Sequence, residues 1–299
     1  MINAHLEAAL GPMRAPFLLL VPVCVLLGWA AAVYDGHAVD AVHLSLAAAG
    51  ALAAHIAVNA LNEYEDFRSG LDFHTQRTPF SGGTGALPSH PDKAYYALIV
   101  ALGALCIVVA VGVYFIRLRG PGIFPLGLAG ILIIVMYTRW LTRSPLLCLL
   151  APGIGFGPLM VLGVYYVVTG VYGVTALVVS LLPLFMVSDL LLINQFPDRE
   201  ADRWAGRNHL LLVWGGPAGV LVYGIFLFAA YVSVVLAVVF GALPPPVLLS
   251  LATIPLAALA FRGLRRHQDT VPALVPHMAQ HVVLTLVTPL LLALGIVIS

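Results

Sequence analysis

Apolar residues come in nine long runs, roughly 16–34, 42–62, 94–116, 121–139, 145–168, 174–196, 211–240, 246–262 and 278–298. A helix needs about 20 apolar residues to cross a bilayer, so each run is predicted to be one crossing. Polar residues gather between the runs, and not evenly. The connections on one side are short, while two on the other are long, about 63–93 and 197–210. Long connections on one face of a scaffold usually carry the function.

One polar stripe enters a rod: His55, Asn59, Asn62 and Asp66 recur at spacings of four, three and four, which puts them on one helix face. Groups of this kind are costly against lipid and are expected to face the bundle interior. Two stretches at rod ends are built alike, Asn62-Glu63-Tyr64-Glu65-Asp66-Phe67-Arg68-Ser69-Gly70-Leu71-Asp72 and Asn194-Gln195-Phe196-Pro197-Asp198-Arg199-Glu200-Ala201-Asp202. In each an Asn precedes an Asp by four, and in the second another Asp follows by four more. Glu63, Glu65, Asp66 and Asp72 with Asp198, Glu200 and Asp202 are seven of the chain's 13 acidic residues. Pro197 is expected to break or bend the second helix, and Asp189, half a turn out of phase with Asp198, is expected to face another neighbour.

Composition agrees with a membrane protein: 61% of the 299 residues are hydrophobic and 9% charged, which excludes a soluble domain. The start, Met1 to Glu7, has no basic segment leading a short apolar core, so a removable signal peptide is not expected. Cys24, Cys106 and Cys148 show no metal or disulfide spacing and read as packing residues. The chain is read as one all-α, polytopic membrane domain over 1–299. The shared Asn-x-x-x-Asp hints at a pseudo-repeat of two four-helix units, about 10–140 and 141–265, plus a final helix.

The net charge of +1 hides an asymmetry. With nine crossings, Arg14, Arg68, Arg77, Lys93, Arg139, Arg143, Arg199, Arg203, Arg207, Arg262, Arg265 and Arg266 fall on one side, and only Arg117 and Arg119 on the other. The rich side is expected to be cytoplasmic, and both acidic stretches lie on it.

Carboxylate and amide oxygens suit Mg2+, which is bound through few protein ligands and leaves positions for substrate phosphates. Asn62 and Asp66 with Asn194, Asp198 and Asp202 supply that set. Diphosphate oxygens would complete it, with Arg77, Lys93, Arg143, Arg203 and Arg207 as the nearby cations that would neutralise a departing diphosphate. His277 and His281 are four apart with no third ligand, and read as hydrogen-bonding residues.

These motifs resemble the UbiA superfamily of intramembrane prenyltransferases. Asn62, Asp66 and Gly70, continuing to Asp72, are similar to the first signature in its 1,4-dihydroxy-2-naphthoate form, and Asn194, Asp198 and Asp202, followed by Gly206 and Arg207, to the second. Arg77-Thr78-Pro79-Phe80-Ser81-Gly82-Gly83, Phe156 to Gly163 with Tyr165-Tyr166, and Arg14 with Pro16 extend the resemblance over nearly the whole chain. Departures are Glu63, where the naphthoate branch carries Asp, Cys148, near a position often acidic there, and His209.

The resemblance implies about nine helices around a central cavity open to lipid, and Mg2+-dependent transfer of a polyprenyl group from its diphosphate to an aromatic acceptor, as in menaquinone biosynthesis. It implies metal ligation by Asn62, Asp66, Asn194, Asp198 and Asp202, and catalytic roles for Asp66, Asp198 and Tyr137, the last beside the allylic carbon. Arg14 and Asn59 are expected to contact substrate. The expected partners are the diphosphate donor, the acceptor and membrane lipids, with no nucleic acid, in the cell membrane with the site facing the cytoplasm. The rival readings are another acceptor or cyclisation of the donor, a secondary transporter, and a binding protein that has lost catalysis. Charges clustered at the cytosolic rod ends, and both motifs intact, favour the enzyme.

Overall fold

The computed structural model describes residues 2–299. A short helix α1 (Ile2–Leu10) precedes the rods α2 (Leu20–Tyr34), α3 (Ala41–Ser69), α4 (Tyr95–Arg119), α5 (Phe124–Met136), α6 (Pro145–Thr169), α7 (Val174–Trp204), α8 (Leu210–Val239), α9 (Pro245–His267) and α10 (Val271–Val297). Among the described residues eight helices are long and apolar enough to cross a membrane, and the shorter apolar segment Pro121–Met136 is the ninth rod. The protein is a multi-pass, all-α membrane protein, as its apolar runs indicate.

Two boundaries move. The apolar runs end at 62 and 196, but α3 continues to Ser69 and α7 to Trp204. Nothing in Glu63 to Ser69 breaks a helix; the stop is Gly70, left-handed at φ 82, whose N–H caps the Phe67 carbonyl at 3.1 Å. The expected break at Pro197 does not occur: α7 runs through Pro183 and Pro197. Both acidic stretches therefore sit mainly on helix, and the loops expected at 63–93 and 197–210 are shorter.

Close packing around α6 rests on glycine. A Cβ on Gly157 of α6 would stand 2.5 Å from the Ser180 carbonyl oxygen, and one on Gly28 of α2 would stand 2.8 Å from that of Val161. Small residues let backbones approach where lipid gives no hydrophobic drive. Within α6 the Gly155–Val161 segment, holding Pro158, is a π-turn, a feature frequent at functional sites. It carries Phe156, Leu159 and Met160 into a central cavity.

Away from Asp189, which is fully buried with neither carboxylate oxygen paired among the described residues, several polar seams are hydrogen-bonded. His281 bridges the Tyr223 hydroxyl at 2.7 Å and the Met186 carbonyl at 2.9 Å, while His277 stacks on His267 and meets Gln280 at 2.9 Å. On the Arg-poor side, Tyr165 and Thr175 each donate to Asp35 at 2.6 Å.

Candidate active site

The last turns of α3 and α7 converge over a cavity of about 410 Å3, within the usual range of ligand sites. Below the mouth it is lined by apolar side chains, among them Val108, Phe115, Leu126, Ile131, Leu159 and Met160. At the mouth stand Asn62 and Asp66 from α3 and Asn194, Asp198 and Asp202 from α7. The four-residue spacing works as expected: Asn62 Nδ2 donates to Asp66 Oδ2 at 3.1 Å and to Thr138 Oγ1 at 3.2 Å.

Arg207, just beyond α7, ties the two motifs together. It donates to Asp202 Oδ1 at 2.7 Å and to Asp66 Oδ1. Burial pulls this guanidinium down, but Asp66 and Asp202 outweigh it and raise its pKa, so it stays charged. His209 Nε2 lies 3.0 Å from Asp202 Oδ2.

The mouth is roofed by the segment between α3 and α4. Glu63 is fully buried and accepts from Arg14 Nε at 2.7 Å, from the Thr84 N–H at 3.0 Å and from Thr84 Oγ1 at 3.0 Å. Arg14 adopts left-handed backbone, φ 51, an arrangement that costs a side-chain-bearing residue roughly 1–2 kcal/mol and is retained here by the Glu63 pair. Trp204, at the end of α7, lies over Gly70 and stacks on His74 at 3.8 Å between ring centroids. Asp72, just past α3, is buried. Desolvation, then the charges of Glu63 and Asp66, push its pKa up to about 7.

The expected site residues divide. Arg14, Asn59, Asn62, Asp66, Tyr137, Asn194, Asp198, Asp202 and Arg207 all line the cavity. Asn59 also donates to the Met13 carbonyl at 3.0 Å, fastening α3 to the segment before α2. Tyr137 follows α5 and lies beside Cys148, whose sulfur accepts from Gln195 at 3.2 Å. Lys93, Arg143 and Arg203 do not line it: Lys93 pairs with Asp92 at 2.9 Å, and the other two are exposed. Arg77 is also outside the lining, with its guanidinium against Gly85. Membrane side fixes the level of a residue but not its direction around the helix axis.

Three acceptor oxygens, Asp72 Oδ2, Asn194 Oδ1 and Asp198 Oδ1, are buried without a hydrogen-bond partner among the described residues. Buried oxygens of this kind are costly unless a cation or donor meets them. Five carboxylates, Glu63, Asp66, Asp72, Asp198 and Asp202, face two guanidinium groups, Arg14 and Arg207. Formally that leaves an excess of three negative charges. The donor chemistry and the excess both fit divalent cations. Among the described residues no three His, Cys, Asp or Glu side chains form a ready ligand cluster; two of the five expected ligands are amides, and Arg207 stands between Asp66 and Asp202.

Residues 20–296 match the UbiA prenyltransferase family. The chain belongs to this family. The prenyltransferase class read from the paired motifs agrees with that membership. A 1,4-dihydroxy-2-naphthoate octaprenyltransferase of Bacillus subtilis (strain 168) is 29% identical over 215 residues, 70% of this chain and 66% of the relative, so the match spans slightly under two thirds of that protein. Among solved structures, a digeranylgeranylglyceryl phosphate synthase superposes with a TM-score of 0.69 at 14% identity, covering 99% of each chain. A UbiA homologue from Archaeoglobus fulgidus bound to GPP and Mg2+ gives 0.63 at 11% identity, covering 96% of this chain and 99% of the other. At those identities the structures establish the fold.

Proposed function

We propose that this protein transfers a polyprenyl group from its diphosphate to an aromatic acceptor, 1,4-dihydroxy-2-naphthoate, in menaquinone biosynthesis, with Mg2+ as cofactor and the site facing the cytoplasm of the cell membrane. The observation that carries this reading is the convergence of Asn62 and Asp66 with Asn194, Asp198 and Asp202 at the mouth of an apolar cavity. The Bacillus relative's acceptor and the homologue bound to GPP and Mg2+ support it. The uneven distribution of Lys and Arg supports the orientation.

In this reading the five Asn and Asp side chains hold the metal, which when bound draws charge from the diphosphate as the allylic carbon–oxygen bond breaks. The remaining work falls to the chain. Arg207 and Arg14 neutralise phosphate oxygens, and Arg77, on the roof near Asp72, adds charge at the rim. The apolar wall takes the prenyl tail and keeps water from the allylic carbon. The ring face of Tyr137 stabilises the positive charge that develops there. The new bond forms from the allylic carbon to the ring carbon that bears the acceptor's carboxylate, whose carbon–carbon bond to the ring breaks to give carbon dioxide, while diphosphate leaves through the mouth.

Membranes containing the protein, given a polyprenyl diphosphate, Mg2+ and dihydroxynaphthoate, are expected to release diphosphate and form the prenylated naphthalene. No release would sink the enzyme class, and release without that product would sink the acceptor. Asp198→Asn is expected to lower turnover by at least roughly 100-fold without unfolding the protein. Retained turnover would remove Asp198 from the ligand set.

A further inference from the structure

Arg207 occupies the oxygens that the metal reading requires. One nitrogen of its guanidinium engages Asp66 Oδ1 of the first motif and the other engages Asp202 Oδ1 of the second. The other Asp66 oxygen, Oδ2, is also engaged, by the Asn62 amide at 3.1 Å, and the neighbouring His209 Nε2 lies 3.0 Å from Asp202 Oδ2. Both carboxylates are buried, at 8% and 3% side-chain exposure, and Arg207 itself is 17% exposed. Each oxygen keeps a second lone pair, but a cation that joins the two motifs through Asp66 and Asp202 must take the place of the guanidinium between them. Of the five expected ligands, Asn194 and Asp198, on α7, each keep a buried Oδ1 without a partner among the described residues.

We infer that Arg207 is an internal latch: its guanidinium holds the two motifs as a substitute cation, and transfers to the diphosphate when the metal takes Asp66 and Asp202. This rests on the reading of the motifs as a metal and diphosphate site. The planar fork of Arg suits both positions, since it bridges two carboxylates as readily as two phosphate oxygens. Arg207 is placed to move. It follows left-handed Gly206, φ 73, outside α7, and its own N–H returns to the Asp202 carbonyl at 3.0 Å. A pivot of the side chain therefore need not disturb the helix.

The exchange couples the ligands. Metal alone must displace Arg207 from two charge-assisted bonds, whereas metal with diphosphate offers the guanidinium equivalent oxygens. Diphosphate should then raise metal affinity more than its own coordination explains. Such couplings between sites amount to about 5- to 150-fold.

The test uses the full-length protein in detergent, with Mn2+ as the metal probe, free Mn2+ followed by electron paramagnetic resonance, and inorganic pyrophosphate as the anion. Without pyrophosphate, Arg207→Ala is expected to bind Mn2+ about tenfold more tightly than wild type. Pyrophosphate should tighten Mn2+ binding strongly in wild type and much less in the variant. Arg207→Lys keeps the charge but cannot span both carboxylates, so it is expected to fall between the two, and it serves if Arg207→Ala does not fold. Mn2+ binding without pyrophosphate that is unchanged or weaker in a folded Arg207 variant would overturn the latch. Failure of the site reading looks different: wild type would bind no Mn2+ even with pyrophosphate, or would bind it as well after Asp198→Asn.

Discussion

Removing the Glu63 carboxylate should loosen the roof of the site before it affects the chemistry. Glu63 is fully buried and makes contacts of 2.7 Å to Arg14 and 3.0 Å to both the N–H and the hydroxyl of Thr84. Glu63→Ala strands a guanidinium and two donors in the same place. Breaking a buried ion pair from one side costs about 3–5 kcal/mol. Arg14 also lies near Asp66 and Asp72 and can turn toward them, so the loss should fall near the lower end of that range. At roughly 2 °C per kcal/mol for a chain this size or somewhat smaller, the expected drop is about 6 °C in detergent. Limited proteolysis should open the segment 74–90 first, and the KM for the diphosphate donor should rise more than kcat falls. The double variant Arg14→Met with Glu63→Met removes the stranded charge and is expected to cost less than Glu63→Ala alone. Unchanged thermal stability and proteolysis in Glu63→Ala, or a double variant that costs the sum of its single changes, would refute the account.

Three further outcomes are expected. Tyr137→Phe should keep most of kcat, because the ring face is retained, while Tyr137→Leu should lose about tenfold, the equivalent of a cation–π contact of about 1.4 kcal/mol; equal losses would point to the hydroxyl beside Cys148 instead. Asp72, with its pKa raised to about 7 from 3.8, holds a proton in the folded state that the unfolded chain has released. Its stabilisation is complete below about pH 4 and is lost as pH rises to about 7, with an upper limit of about 4 kcal/mol. Thermal unfolding in detergent at pH 5 and pH 8 should show the decline, and Asp72→Asn should reduce it; an equal slope in the variant would assign the dependence to another group. Gly157→Ala should destabilise by about 1–3 kcal/mol, since its Cβ would stand 2.5 Å from the Ser180 oxygen; a neutral substitution, measured by thermal unfolding, would show that α6 and α7 are not locked there.

The sequence made the rods and the two Asn/Asp sets legible for related reasons. In a bilayer every backbone polar group must be satisfied within its own segment, so long apolar runs have one outcome, and polar residues recurring every four stand out against them. The rod ends were less legible, because hydropathy marks the hydrocarbon slab and not the helix. Glu63 to Ser69 leaves the apolar run but keeps helical residues until Gly70, so α3 ends seven residues later than the run. Pro197 removes one hydrogen bond, and α7 continues past it. The Arg14–Glu63–Thr84 clamp was hidden, since its members lie 49 and 21 residues apart and nothing local links them. Glu63 stood out in the sequence only as a departure from a family pattern, whereas in the fold it holds the roof. Among the basic residues, the cavity takes in Arg14 and Arg207 and leaves out Lys93, Arg143 and Arg203, and no spacing rule could have told them apart.

The placement of the motifs on helix C-termini explains why the site is built from carboxylates at all. Proteins that hold a phosphate with backbone alone use helix N-termini, where free N–H groups and the dipole favour an anion. Here α3 ends three residues after Asp66 and α7 two residues after Asp202, so the negative ends of two helix dipoles lie at the mouth. With five carboxylates alongside, this end of the bundle repels a diphosphate unless cations intervene. Two guanidinium groups are too few. On the proposed function, a diphosphate would enter this end together with metal, which would tie donor binding to metal binding. The same shortage of cations would give Arg207 the double duty proposed for it: it pairs with both carboxylates, and would follow the charge to the phosphates once metal replaced it there.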